Sequence, residues 1–207
     1  MKVLSPFGPK IAQLKLNKSL INKINKEVDR ISSQKKLKKK YDYSKKLVGQ
    51  VKQEIQLPKN FIKKYLAKKI NQSIKEFIKF TTGKTTKTIK IKSFWVVSQF
   101  SHEYNPVHYH DGHVSGVGYL KVPKFTANKK SLTTNGTIDF INGNKMFLNN
   151  SIFNHNPRVG DVILFPNYLM HTAYPFTGKG ERRSFSFNAE IDNSCLLYTS
   201  DAADDSL

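Results

Sequence analysis

Three of the six histidines in this 207-residue chain fall within six positions of the stretch NPVHYHDGHVSGVGYL, residues 105–120. His108 and His110 are two apart, and on a β-strand such residues point to the same face, so both imidazoles can converge on one point. A third nitrogen must come from elsewhere. His171, in LMHTAYP, is the candidate, with Leu169, Ala173 and Pro175 as its in-phase neighbours. Three protein ligands on one face of a metal ion leave its other positions open for exogenous ligands. Later in the chain, Arg182 and Ser184 share a strand face. A guanidinium fork beside a hydroxyl is a carboxylate receptor, because the fork gives two charge-assisted bonds and the hydroxyl a third. Arg183 points the other way and reads as a surface charge. His102, His113 and His155 read as structural histidines.

The elements that must hold these groups show in the periodicity. NKSLINKINKEVDRISS (17–33) repeats Leu20, Ile21, Ile24, Val28 and Ile31 at helical spacing, with Asn17 or Ser19 as N-cap. KKLKKKYDYS reads as a polar loop. Pro58 opens a second helix with Phe61, Ile62, Tyr65, Leu66, Ile70, Ile74, Phe77 and Ile78 as its apolar stripe, stopped near Gly83. From Lys84 the period changes from about four to two. Eight strand candidates follow: 88–100, 106–110, 113–122, 136–141, 151–155, 161–166, 168–175 and 182–191, separated by turn formers such as Asp111-Gly112 and Asn142-Gly143. The pattern predicts a mainly β fold, a jelly-roll or cupin-like barrel with N-terminal amphipathic helices. The expected organisation is a basic helical region at 1–83 packing on a barrel at 84–193. A non-native tail is expected at 194–207, because Cys195–Asp205 resembles a translated sequencing adapter.

The formal net charge is +20, yet it is not spread evenly. Residues 1–92 carry a balance of +21, and the remainder, which holds every histidine, carries −1. Lysines number 31 against four arginines. Readers of phosphate favour the arginine fork, so the lysines read first as solvated surface, with an acidic partner for this region as the functional alternative. No run of about eighteen apolar residues is present, so no membrane helix is expected. The N-terminus lacks an apolar leader with a small-residue cleavage site. A cytoplasm is the expected compartment, that of the host if the gene is phage-borne.

The order of these motifs resembles the Fe(II)- and 2-oxoglutarate-dependent oxygenases, nearest in kind to those often found in phage and marine bacterial genomes. The segments that carry the likeness are LVGQVKQEI, YNPVHYHDGHVSGVGYLKVP, RVGDVILFPNYLMHTAYPF and GERRSFSFN, spanning about residues 41–191. The resemblance implies a double-stranded β-helix and a dioxygenase that hydroxylates a substrate with release of succinate and CO2. It further implies Fe(II) with His108 as first ligand and His171 as distal ligand, and Arg182 as anchor for the far carboxylate of 2-oxoglutarate. One position departs from the family pattern. The usual His-x-Asp or His-x-Glu is here His108-Tyr109-His110. Either His110 ligates, giving a three-histidine face as in thiol dioxygenases, or Asp111 supplies the carboxylate; strand phase favours His110. Two other readings compete: a cupin-like metal-binding barrel without oxygenase activity, for which Arg182 has no use, and a basic nucleic-acid-binding protein. The substrate, small or macromolecular, is not named by the sequence.

Overall fold

The computed structural model describes residues 1–4, 6–126 and 134–192, so the expected tail and Cys195 lie outside the described residues. Helix α1 (Lys18–Ser32) forms where the apolar spacing placed it: Ile21, Ile24, Val28 and Ile31 are buried, and the Asn17 side chain accepts the Leu20 N–H at 2.8 Å as N-cap. The lysine run expected as a loop is a short helix, α2 (Lys35–Tyr41), with no buried residue. Straight-chain lysines lose little rotamer freedom in a helix, and Leu37 and Tyr41, four apart, set a narrow apolar edge of it half-buried against the core. The second long helix is interrupted. A turn α3 (Lys59–Phe61) runs through a π segment at Ile62–Leu66 into α4 (Ala67–Thr82). Gly83 closes it in the left-handed conformation (φ 74°) that favours glycine.

Among the described residues, eleven strands form two antiparallel sheets. They are β1 (Lys2–Leu4), β2 (Ile11–Lys15), β3 (Gln53–Gln56), β4 (Ile89–Gln99), β5 (Asn105–His108), β6 (Val114–Lys121), β7 (Ile138–Ile141), β8 (Ile152–His155), β9 (Asp161–Pro166), β10 (Met170–Ala173) and β11 (Arg182–Ile191). The large sheet runs β1-β2-β9-β6-β11-β4-β3, and the small one β5-β10-β7-β8. Together they make the double-stranded β-helix. Region 1–83 is therefore not only helical. It supplies β1, β2 and β3 to the two edges of the large sheet, where pairing to the barrel makes strands of short segments.

Period two decides what each face of the large sheet does. On β11, Phe185, Phe187, Ala189 and Ile191 pack with Phe94 and Val96 beneath α1 and α4. Each of the larger side chains, Ala189 excepted, contributes roughly 1.5–3 kcal/mol of burial before the entropy of ordering. Gly116 and Gly118 on β6 lie against the rings of Phe187 and Phe185, and any side chain there would strike them. The alternate residues Arg182, Ser184, Ser186 and Asn188 face the cavity between the sheets. A bulge sets Ser93 opposite Asn188 and Ile91 opposite Ala189, leaving Lys92 as the extra residue. It reverses the phase of β4, so Ile89 joins the helix-side core instead of the face that Trp95 and Val97 occupy.

Arg183 corrects its sequence reading. It does point away from Arg182, but that direction is the helix-covered face, and Arg183 is 4 % exposed. Its guanidinium meets Glu181 at 2.6 Å and Asp29 of α1 at 2.7 Å, and it donates to Asn25 Oδ1 at 3.1 Å. A buried cation with these partners ties the first helix to the barrel.

Candidate metal centre

β5 and β10 pair antiparallel with His108 and His171 as direct partners, so the two rings start from adjacent backbones with centroids 4.3 Å apart. His110 arrives differently from the strand-phase expectation, because β5 ends at His108. The His110 N–H donates to Asn167 O at 2.9 Å and the Asn167 amide donates back to His110 O at 3.1 Å. This clamp, together with an edge contact to Trp95 (5.6 Å), turns the His110 ring toward the other two. One ring nitrogen from each histidine lies within 4.8 Å of the others. Asp111 stands outside this group: it is exposed, accepts from Lys92 Nζ at 2.8 Å, and that ammonium holds its carboxyl below the usual range.

The protonation states follow from the partners. His171 Nδ1 lies 2.9 Å from Leu169 O and His108 Nδ1 lies 2.7 Å from Pro106 O. A carbonyl only accepts, so each Nδ1 carries the proton and each Nε2 presents a lone pair. Backbone carbonyls that accept from Nδ1 commonly fix the tautomer and ring orientation of a metal-binding imidazole in this way. Burial lowers all three pKa values, that of His110 to about 3, so the rings are neutral near pH 7. Phe165 and Phe140 wall His171 at 4.9 and 5.8 Å. Three neutral imidazoles converging through Nε2 fit a divalent transition metal.

The triad opens into a cavity of about 380 Å³, lined also by Trp95, Val117, Tyr119, Ile138, Arg182 and Ser184. Such a volume suits a small-molecule ligand. Arg182 is 2 % exposed; it donates to Gly136 O and Gln99 Oε1, and its Nε has no partner. No acid pairs with it among the described residues. Burial lowers its pKa, and the wall beside it is Tyr119, whose phenol burial pushes up to about 12. A buried guanidinium without a counter-charge is costly unless an anion is brought to it, so the residues present fit a carboxylate ligand as well as a metal. Trp95 and Phe165 also line the cavity. His113 and His155 are structural: His113 Nδ1 accepts the Ile191 N–H, and His155 lies 3.3 Å from Asp161. His102 sits in an exposed turn with φ 67°. Glu54, Tyr43 and Gln99 line the cavity unforeseen; only Glu54 carried a hint, lying in the upstream segment LVGQVKQEI.

Residues 93–188 match the family described as "Putative 2OG-Fe(II) oxygenase". That segment is a 2OG-Fe(II) oxygenase domain, an oxidoreductase unit of the Fe(II)- and 2-oxoglutarate-dependent class. No curated protein matches the sequence. Among solved structures, the chain is similar to a prolyl-4-hydroxylase of Pseudomonas putida (TM-score 0.58, 13% identity, 87% of this chain and 91% of that one). It is also similar to the viral collagen prolyl hydroxylase of Paramecium Bursaria Chlorella virus-1 in its 2OG complex (TM-score 0.55, 14%, 86% and 94%). A third is HygX of Streptomyces hygroscopicus with iron bound (TM-score 0.56, 11%, 87% and 81%). At these identities the likeness establishes the fold.

Proposed function

We propose that His108, His110 and His171 hold the Fe(II), that Arg182 with Ser184 anchors the far carboxylate of 2-oxoglutarate, and that the chain hydroxylates a C–H bond of its substrate. The observation that carries this reading is Arg182: a buried cation lacking an acidic partner, in the same cavity as three converging histidines, two of which present a bare Nε2 lone pair. Fe(II), when bound, would supply the oxidative chemistry, in which O2 gives one atom to 2-oxoglutarate, which loses CO2 to become succinate, and the other to the C–H bond of the substrate. The protein's part is positional and electrostatic. Nδ1–H bonds to Pro106 O and Leu169 O aim the lone pairs of His108 and His171 inward. Arg182 offsets the carboxylate charge, and Ser184 stands one register step along the same face. Trp95, Phe165, Val117 and Ile138 keep the reacting end apolar. No side-chain acid or base is required. No helix among the described residues is long and apolar enough to cross a membrane. We place the chain in a cytoplasm, with the exposed lysines of α2 available to an acidic partner.

The test is whether the Fe(II)-loaded chain turns 2-oxoglutarate into succinate in air. Succinate formation supports the reading; an iron-loaded protein that leaves 2-oxoglutarate untouched contradicts it.

A further inference from the structure

The cavity holds a second buried charge, of the opposite sign. Glu54 of β3 is 2 % exposed, lines the same cavity as Arg182, and neither of its carboxylate oxygens has a hydrogen-bond partner. The two charges do not pair with each other. In the sheet register Glu54 faces Val97, which in turn faces Ser184, so two strand spacings, roughly 10 Å, separate Glu54 from the Ser184 backbone. A cosubstrate made of carboxylates is repelled by Glu54, which therefore awaits a different ligand.

The surroundings say which kind. Asn105 Oδ1 is a third buried oxygen without a partner, and it and Glu54 Oε1 each lie 2.7 Å from the point a side chain on Gly49 would occupy. Glycine at 49 leaves both oxygens uncovered. If the Asn105 amide turns, it supplies one N–H to Glu54, and Oε2 and the negative charge are still uncompensated. Desolvation raises the Glu54 pKa to about 7, with the charge of Asp42 adding to it, as expected for a carboxylate with nothing to stabilise its charge. Two flat aromatic rings, Tyr43 and Trp95, line the cavity here with centroids 5.9 Å apart, and Trp95 makes the edge contact with His110.

We propose that Glu54, with Asn105, is the substrate-recognition point of the cavity, and that it takes a planar group presenting two parallel N–H donors on an N–C–N edge. The two oxygens of a carboxylate match that edge, as in bidentate guanidinium pairs, and aromatic neighbours suit a flat group. The edge is cationic in a guanidinium and neutral in an amino-heterocycle. This assignment rests on the oxygenase reading for its role as substrate contact, but not for the binding itself.

Trp95 is the only tryptophan in the chain, so its fluorescence reports on this part of the cavity without turnover. The experiment titrates methylguanidinium and, separately, isocytosine into the wild-type chain, Glu54→Gln and Gly49→Ala, and measures 2-oxoglutarate binding to each. The expected result is saturable binding of at least one probe to the wild type. That binding should be weakened at least tenfold in Glu54→Gln and in Gly49→Ala, whose methyl covers both oxygens, with 2-oxoglutarate binding retained. Which probe binds separates the charged source from the neutral one. If neither probe saturates, or both variants bind as the wild type does, the Glu54 assignment is overturned while intact 2-oxoglutarate binding leaves the oxygenase reading standing. If a probe binds through Glu54 and 2-oxoglutarate binds none of the proteins, the oxygenase reading fails and the Glu54 subsite remains.

Discussion

His110 Nε2 lies 3.1 Å from His171 Nε2, although one residue leaves a strand end and the other sits within β10. Since His171 carries its proton on Nδ1, the only arrangement without a metal is a His110 N–H donated to His171, and a divalent ion replaces that proton. Iron binding should therefore depend on His110 and not on its neighbour. His110→Ala is expected to weaken Fe(II) binding by about 100-fold or more, while Asp111→Ala, which removes only a surface pair with Lys92, leaves it within about twofold. Metal titration of the two variants checks this, and a reversed ranking would assign the carboxylate as ligand.

Arg182 and its fork give the second prediction. Lysine keeps the charge but offers a point donor in place of a planar fork. Arg182→Lys is expected to weaken 2-oxoglutarate binding about 10–100-fold, the equivalent of about 1.5–3 kcal/mol for bonds to a charged group, with Fe(II) binding unchanged. Calorimetric titration of the cosubstrate into each protein reads both quantities.

Arg183, one residue on, should behave in the opposite way. Its removal leaves half-buried Glu181 with Lys121 as its remaining cation, at 3.0 Å, and unties Asp29 of α1. Arg183→Ala is expected to cost about 2–3 kcal/mol of stability, less than a fully buried pair because Asp29 is half exposed, and to leave 2-oxoglutarate affinity unaltered. Denaturant unfolding and cosubstrate binding, measured on one preparation, separate the two arginines.

Glu54 predicts a pH dependence. Its pKa is raised in the folded chain to about 7 from 4.5, so between these values the native state binds more protons than the unfolded one. Stability contributed by the protonated carboxyl is thus present at low pH and lost as pH rises through about 7. The loss should be about 1–2 kcal/mol, allowing for solvent screening across the open cavity, and should vanish in Glu54→Gln. Unfolding curves of the two proteins from pH 5 to 8 test it; parallel pH profiles would mean that Glu54 is satisfied in solution.

Much of this architecture was legible because it rests on long periodic runs. Ten residues of strict alternation gave β11 its bounds and sorted Arg182 from Arg183, and the α1 stripe with its Asn17 cap gave that helix. What alternation cannot supply is the identity of the layer behind each face, and so Arg183 read as surface when α1 covers it. The strands β1, β2 and β3 have three to five residues each, too few for a period, and owe their form to the sheet edges they join. Convergence of His110 on His108 was expected from strand phase, yet the Asn167 clamp produces it. Glu54 was one acid in a lysine-rich region, and only the cavity shows that it lacks a partner.

The central claim is that one cavity holds iron on the histidines and a 2-oxo acid on Arg182. Under anaerobic conditions, Fe(II) and then 2-oxoglutarate are added and the visible spectrum recorded. The account predicts a weak charge-transfer band from the chelated 2-oxo acid, absent in His171→Ala and needing at least tenfold more cosubstrate in Arg182→Lys. Iron bound with no such band, or a band that survives His171→Ala, would contradict it.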